Sequence, residues 1–189
     1  MTFILFLEIN LFVGNSMLHK HGITLVPLSE AHIELLRNWR NSDFVKKNMQ
    51  YQGHITETQQ LKWFRSLERD TSMYFLIQQD TSFIGCCNMK NIDAELGCAE
   101  GGIFLSEEKY LNSLLPIKAI FILYDWVFSN TSVNIIKAEI IKKNNRAIRF
   151  NKGLGFTINA EVDNMVFATL TCDDFYSKYR KYKKVLDVE

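Results

Sequence analysis

Residues 73–105, MYFLIQQDTSFIGCCNMKNIDAELGCAEGGIFL, decide the fold. Met73–Gln78 and Ser82–Lys90 are β-rich runs of period two, and Gln79-Asp80-Thr81 between them reads as a hairpin turn. Gly97–Leu105 follows as a third strand after a turn near Asp93. The next stretch, Leu114–Phe128, is apolar almost throughout, and its fifteen residues exceed what a strand uses. It predicts a buried helix.

Working outward toward the C-terminus, Val133–Ile141 is a β-branched strand, and Asn145–Leu154 is a helix stopped by Gly155. Phe156–Ile158 and Met165–Leu170 form a last strand pair with a turn at Asp163-Asn164. Asp173 and Asp174 cap a basic helix to Lys184, whose Tyr176, Tyr179 and Tyr182 are expected to pack inward. Toward the N-terminus, Gly22–Leu28 is a strand. Ser29 opens a helix, with His32 where a capping box favours Glu or Gln. Ile33, Leu36 and Trp39 make one face of it, and Asn41-Ser42-Asp43 breaks it. Thr56 and Gln59 form a capping box for a helix over Glu57–Arg69 that presents Leu61, Phe64 and Leu67. The pattern is α+β, a mixed and mostly antiparallel central sheet flanked by helices.

Composition agrees with one globular domain. The chain has 189 residues, is 47% hydrophobic and 23% charged, and carries a net charge of +1. That charge gives no general footprint for nucleic acid, so none is expected as a partner. The four cysteines lack Cys-x-x-Cys spacing and match no zinc pattern with the four histidines, so they read as reduced thiols and no metal is expected. Residues 1–16, MTFILFLEINLFVGNS, are apolar but lack a basic leader and are interrupted by Glu8. They read as an edge strand, as a spurious upstream start before Met17, or as a poor signal peptide. A single domain over 17–189 in the cytoplasm, with no membrane contact, is the expectation.

Several motifs then occur in a fixed order. They are Leu36-Arg37-Asn38-Trp39-Arg40-Asn41, Met49, Ile55-Thr56 and Trp63-Phe64; next Phe83-Ile84-Gly85, Asn91-Ile92-Asp93 and Ala99-Glu100-Gly101-Gly102-Ile103; finally Asn144-Asn145-Arg146-Ala147-Ile148-Arg149-Phe150 and Leu154-Gly155-Phe156. Over residues 22–170 this order resembles the GNAT acetyltransferase superfamily. It is most similar to the branch holding ribosomal-protein N-terminal acetyltransferases and the sugar-nucleotide N-acetyltransferases of the pseudaminic-acid pathway. The resemblance implies a GNAT-like sheet, acetyl-CoA as cosubstrate and a small-molecule amine as acceptor, with a nucleotide-linked amino sugar preferred. A protein or peptide α-amine is the alternative, and a degenerate domain acting as a binding module is another. A homodimer is compatible with all three.

The residues support a division of labour. Glycine within a strand marks a bulge or a close backbone approach, so a bulge at Gly101-Gly102 would free an N–H for the thioester oxygen. Glu100 is a carboxylate in an otherwise apolar strand, where its pKa would rise toward that of a general base. A solvated edge or an internal salt bridge is the other reading of Glu100. The resemblance assigns the cofactor to Gly102, Ile103, Phe104, Leu105, Lys109, Asn112, Ser113, Leu114 and Asn144. Asn144 is equally a helix N-cap. Met49, Tyr51, His54 and Trp63 are expected on the acceptor side, where aromatics stack on rings. His54 is a second candidate base or phosphate ligand, or else an exposed loop histidine.

Two departures stand out. The family's glycine-rich pyrophosphate loop is replaced here by Leu111-Asn112-Ser113-Leu114-Leu115-Pro116. Asn151 stands where many members have a tyrosine that protonates the leaving thiolate. Tyr110, Tyr124 or a water are the substitutes the sequence offers.

Overall fold

The structure is a computed structural model that describes residues 16–186; the proposed extension over 1–16 lies outside the described residues save Ser16. The elements run β1 (Leu18–Lys20), β2 (Ile23–Pro27), α1 (Ile33–Asn41), α2 (Asp43–Lys46), α3 (Glu57–Arg65), β3 (Met73–Gln79), β4 (Ser82–Asp93) and β5 (Cys98–Leu105). They continue with α4 (Leu115–Asn130), β6 (Ile135–Ile141), α5 (Asn145–Leu154), β7 (Thr157–Val162), β8 (Met165–Thr171) and α6 (Cys172–Leu186). One sheet takes all eight strands in the order β1-β2-β3-β4-β5-β6-β8-β7. Every neighbouring pair is antiparallel except β5 and β6.

Both faces of the sheet centre are covered, which explains the unbroken apolar runs in β3 and β4. On one face Phe75, Ile77, Cys87 and Met89 pack under α4, whose Ala119–Tyr124 and Val127 are all buried, and under Phe175 and Tyr179 of α6. On the other, Leu76 and Cys86 pack against Ile33 and Leu36 of α1 and Phe64 of α3. The four cysteines are free, three of them buried. No helix among the described residues is long and apolar enough to cross a membrane.

Local chemistry explains most boundaries. Asn144 Oδ1 accepts the Ala147 N–H at 3.0 Å and opens α5, while Gly155 closes it at φ 106°, a conformation that favours glycine. The Thr56–Gln59 capping box forms reciprocally at 3.2 and 2.8 Å. His32 takes the Glu/Gln place in the 3-10 turn Glu30–His32 that leads into α1, its Nδ1 accepting the Ser29 N–H at 3.4 Å.

Three expectations are corrected, and one strand is added. The α3 helix ends at Arg65, not Arg69, because Ser66 turns its hydroxyl onto the Trp63 carbonyl at 2.8 Å. Strand β1 was not foreseen; it is joined to β2 by a two-residue turn in which His21 (φ 53°) and Gly22 (φ 74°) are both left-handed. Helix α6 starts at Cys172, ahead of the two aspartates. The bulge expected at Gly101-Gly102 is absent: β4 and β5 stay in register from Gly85↔Leu105 to Lys90↔Glu100, and the irregularity falls between Lys90 and Asp93.

Candidate active site

The site begins where two strands part. Strands β5 and β6 pair only at Cys98↔Ile135, Ala99↔Ile136 and Glu100↔Lys137. Beyond that point β5 stays with β4 and β6 stays with β8, so a wedge opens between them. The alternation of the strand decides which backbone groups face the wedge. Ser106 N–H donates to Ile84 on the β4 side, whereas Gly97 C=O accepts from Asn134 and Ile135 on the β6 side. Even-numbered residues of β5 therefore turn their backbone groups toward β4, and odd-numbered ones toward β6. Ile103 and Leu105 thus present N–H groups to the wedge, past the last β6 pair. The N–H groups of Gly102 and Phe104 face β4. The free donor expected from a glycine bulge comes instead from the splay, and it belongs to Ile103. Gly102 contributes by lacking a side chain, since a Cβ there would lie 2.7 Å from Asn88 Oδ1.

The wedge leads to the N-termini of α4 and α5. Asn112, Ser113 and Leu114 make no backbone N–H donation to a described residue. They precede a sixteen-residue helix, where unpaired N–H groups and the macrodipole favour an anion. Ser113 Oγ donates to Tyr110 O at 2.6 Å and accepts from Leu115 N at 3.3 Å, which holds the turn without glycine. Pro116 sits in the first helical turn, where its missing N–H costs nothing. Two cations flank this turn. Lys109 is exposed and tied to Glu107 at 3.0 Å. Arg146, from the start of α5, donates to Asn112 Oδ1 at 3.0 Å. Asn144 spends Oδ1 on its helix and leaves Nδ2 without a described acceptor. Exposed N–H groups on β5, a free helix end and a basic rim fit a thioester cosubstrate with a pyrophosphate.

At the apex of the wedge stands Glu100. Its carboxylate meets Lys90 Nζ at 2.7 Å and accepts from Asn91 Nδ2 at 2.7 Å. Partial burial pushes the carboxyl up, but the hydrogen bonds from Lys90 and Asn91, with the charges of Lys90 and Lys137, outweigh it and leave the group below its ordinary value. The expected upward shift is therefore corrected. The strand sequence is apolar, but its cross-strand partner Lys90 is not.

The opposite side of the sheet lies under α1 and α3, and the residues expected on the acceptor side are found there. Tyr74, Asn88 and Gly102 form one cross-strand row there. Arg40 of α1 lies within electrostatic reach of Tyr74, Cys86 and Tyr51. Burial pulls the guanidinium down from its ordinary value. A guanidinium nevertheless stays a cation at neutral pH. It makes no ion pair or hydrogen bond with any described residue. The loop after α2 closes over this face: Asn41 Nδ2 donates to Ile55 O and Asn41 Oδ1 accepts Ile55 N–H, both at 2.8 Å, and Gln50 donates to Glu139 of β6 at 3.2 Å.

The sequence candidates divide accordingly. Met49 and Tyr51 lie in the loop after α2, with Tyr51 53% exposed. Trp63 is partly buried and spends its ring edge-on against Tyr74 at 5.1 Å, a packing role. His54 is exposed and makes no hydrogen bond with a described residue. Phe104 packs edge-on with Trp39 at 6.4 Å. Sequence reasoning passed over Arg40 and Arg146 as site residues, although both stand inside quoted motifs. The signal was an arginine standing inside each motif.

Comparison with known proteins gives the family. Residues 23–157 match the Acetyltransferase (GNAT) domain family. The chain is 30% identical over 135 residues to Acetyltransferase PseH of Campylobacter jejuni subsp. jejuni serotype O:23/36 (strain 81-176), covering 71% of this chain and 82% of that one. Among solved structures, apo FdhC, described as a nucleotide-linked sugar GNAT, superposes with a TM-score of 0.78 at 20% identity over 91% of this chain and 99% of the other. The aminoglycoside acetyltransferase AAC(6')-Ib in complex with coenzyme A gives 0.71 at 18% identity, over 82% and 98%. These structures share the fold, and the sequence match carries the assignment: the chain belongs to the GNAT acetyltransferase family.

Proposed function

We propose that this acetyltransferase moves the acetyl group of acetyl-CoA to a primary amine on a nucleotide-linked amino sugar. The observation that carries the choice of acceptor is Arg40. A half-buried guanidinium with no counter-ion among the described residues is costly to keep unless a ligand supplies the charge, and guanidinium matches phosphate geometry in particular. The aromatic rings of Tyr51 and Tyr74 beside it suit a base or sugar ring. The neighbour described as a nucleotide-linked sugar GNAT supports the same class.

The chemistry follows from the residues in place. Acetyl-CoA, when bound, supplies the activated acetyl group. The Ile103 N–H faces the wedge, ready to donate to the thioester oxygen as negative charge grows there. Glu100 lies at the apex between the two faces. Its lowered pKa makes it a weak base toward a free ammonium. It suits accepting the proton once the new C–N bond has made that N–H strongly acidic, directly or through water. Arg40 holds the phosphate end of the acceptor. Nucleic acid is not an acceptor in this reading, and the reaction runs in the cytoplasm.

Steady-state assays on three acceptors test it: a nucleoside-diphosphate-linked amino sugar, the free amino sugar and a peptide with a free α-amine. The nucleotide-linked acceptor is expected to have the highest kcat/KM. Arg40→Met should raise its KM by about tenfold, the worth of one charged hydrogen bond, and leave the KM for acetyl-CoA unchanged. Preference for the peptide would establish the protein-amine reading instead. Absence of acetyl-CoA binding would establish a domain that has lost its activity.

A further inference from the structure

Two consecutive residues of β4 grip the Glu100 carboxylate, and the strand breaks its own alternation to bring them there. Strand β4 pairs Lys90 with Glu100 and next Asp93 with Cys98. Asn91 and Ile92 thus stand opposite Ala99 alone, one residue more than β5 supplies, which is a β-bulge. Regular alternation would turn Lys90 toward the side of α1 and α3, and Asn91 back toward α4 beside the buried Met89. Asn91 instead takes the left-handed conformation at φ 50°, which asparagine tolerates better than most residues. Its side chain stays with that of Lys90, and Ile92 packs against the core in its place. The Ile92 N–H donates to Thr71 O at 3.0 Å, which pins the bulge to the turn before β3. Lys90 Nζ therefore meets Glu100 Oε2 and Asn91 Nδ2 donates to Oε1, each at 2.7 Å. Asn91 itself is exposed, so core packing of its side chain does not call for the strained backbone.

We propose that Asn91 is a positioning residue: the β4 bulge turns its carboxamide onto Glu100 Oε1 and so fixes the orientation of the carboxylate that takes the acceptor's proton. With Oε2 held by Lys90 and Oε1 by Asn91, the carboxylate cannot rotate about its last torsion without breaking a contact on each side. The lone pairs that stay free then keep a constant direction. The charged and titratable groups that face Glu100 are Lys90 of β4, Lys137 of β6 and the phenol of Tyr74 on β3. The two lysines supply charge, whereas the neutral carboxamide of Asn91 supplies direction. Removing Asn91 therefore takes away one hydrogen bond and no charge. The inference rests on Glu100 being the proton acceptor and is independent of which amine is acetylated.

Asn91→Gly is the first test, because glycine keeps the left-handed backbone and removes only the carboxamide. Asn91→Asp keeps the shape but turns the donor into an acceptor of like charge. Glu100 is titrated by the NMR shift of its carboxyl carbon in glutamate-labelled protein, the signal being the one that Glu100→Gln lacks. Its midpoint should rise by about one pH unit in Asn91→Gly, the worth of one hydrogen bond to a charged group, and further in Asn91→Asp. Turnover of Asn91→Gly on the alkaline side of that midpoint should fall on the order of tenfold, with the KM for acetyl-CoA unchanged, as for a misdirected reacting group. Glu100→Gln is assayed alongside. If it is impaired while Asn91→Gly turns over like the wild type, the inference alone is overturned. An unmoved Glu100 titration in Asn91→Gly overturns it as well, since the carboxamide then does not hold the carboxylate, and a lowered melting temperature beside it would assign the bulge to the fold. Wild-type turnover by Glu100→Gln would overturn the base reading and the inference with it.

Discussion

Asn41 links the fold to the acceptor loop, and its removal should be felt in both. Its carboxamide makes two hydrogen bonds of 2.8 Å to the backbone of Ile55, a residue 7% exposed. Asn41→Ala leaves the Ile55 N–H without its partner, while the carbonyl keeps the weaker Arg37 donor at 3.3 Å. Leaving one buried donor unpaired and losing most of a second bond costs about 2 kcal/mol. For a domain of this size that lowers the melting temperature by roughly 4–8 °C. The loop that Asn41 clamps also carries Met49, Tyr51 and Gln50. The KM for the amine acceptor should rise several-fold while the KM for acetyl-CoA, bound on the other face, stays put. Differential scanning calorimetry and two-substrate kinetics measure the two effects. A loss below about 1 °C, within the range of ordinary surface substitutions, would refute the clamp. An equal rise in both KM values would refute the separation of the two faces.

Two further substitutions probe the sheet. Glu100→Gln should lower kcat by about 10² to 10⁴, the usual worth of a general base. Because Lys90 and Asn91 hold the Glu100 carboxyl below its ordinary value, the wild-type rate should show no acid limb from this group above pH 5. The same depression stabilises the fold above the unfolded pKa. That contribution is lost as pH falls through the lower folded value, so the acid-unfolding curve of Glu100→Gln should be flatter there. Gly85→Ala should cost about 3 kcal/mol in a denaturant melt, since its Cβ would strike the backbone carbonyl of Phe104 and approach Leu105 Cα to 3.0 Å, and β5 would have to move.

Much of the fold was legible because local chemistry repeats the global answer. Helix α5 was read to the residue, since Asn144 and Gly155 mark its ends whatever surrounds them. The Thr56–Gln59 box and the hairpin at Gln79-Asp80-Thr81 belong to the same class. Leu67 misled the reading of α3: its spacing continues the apolar face, but the Ser66 hydroxyl had already taken the Trp63 carbonyl. The site was less legible for a physical reason. Which backbone N–H of β5 faces the wedge depends on strand parity and on where β6 leaves. Neither is written in Gly101-Gly102. The environment of Glu100 depends on register, which sets Lys90 opposite it. Arg40 was visible in its motif, but its lack of a counter-ion is a property of the folded neighbourhood.

The most direct test of the account is mass spectrometry of the products formed from acetyl-CoA and a nucleoside-diphosphate-linked amino sugar, with thiol release followed in the same sample. The account predicts one acetyl group on the sugar amine per thiol released, with the nucleotide intact. Thiol release without an acetylated sugar, or acetylation of a peptide α-amine in preference to the sugar, would contradict it.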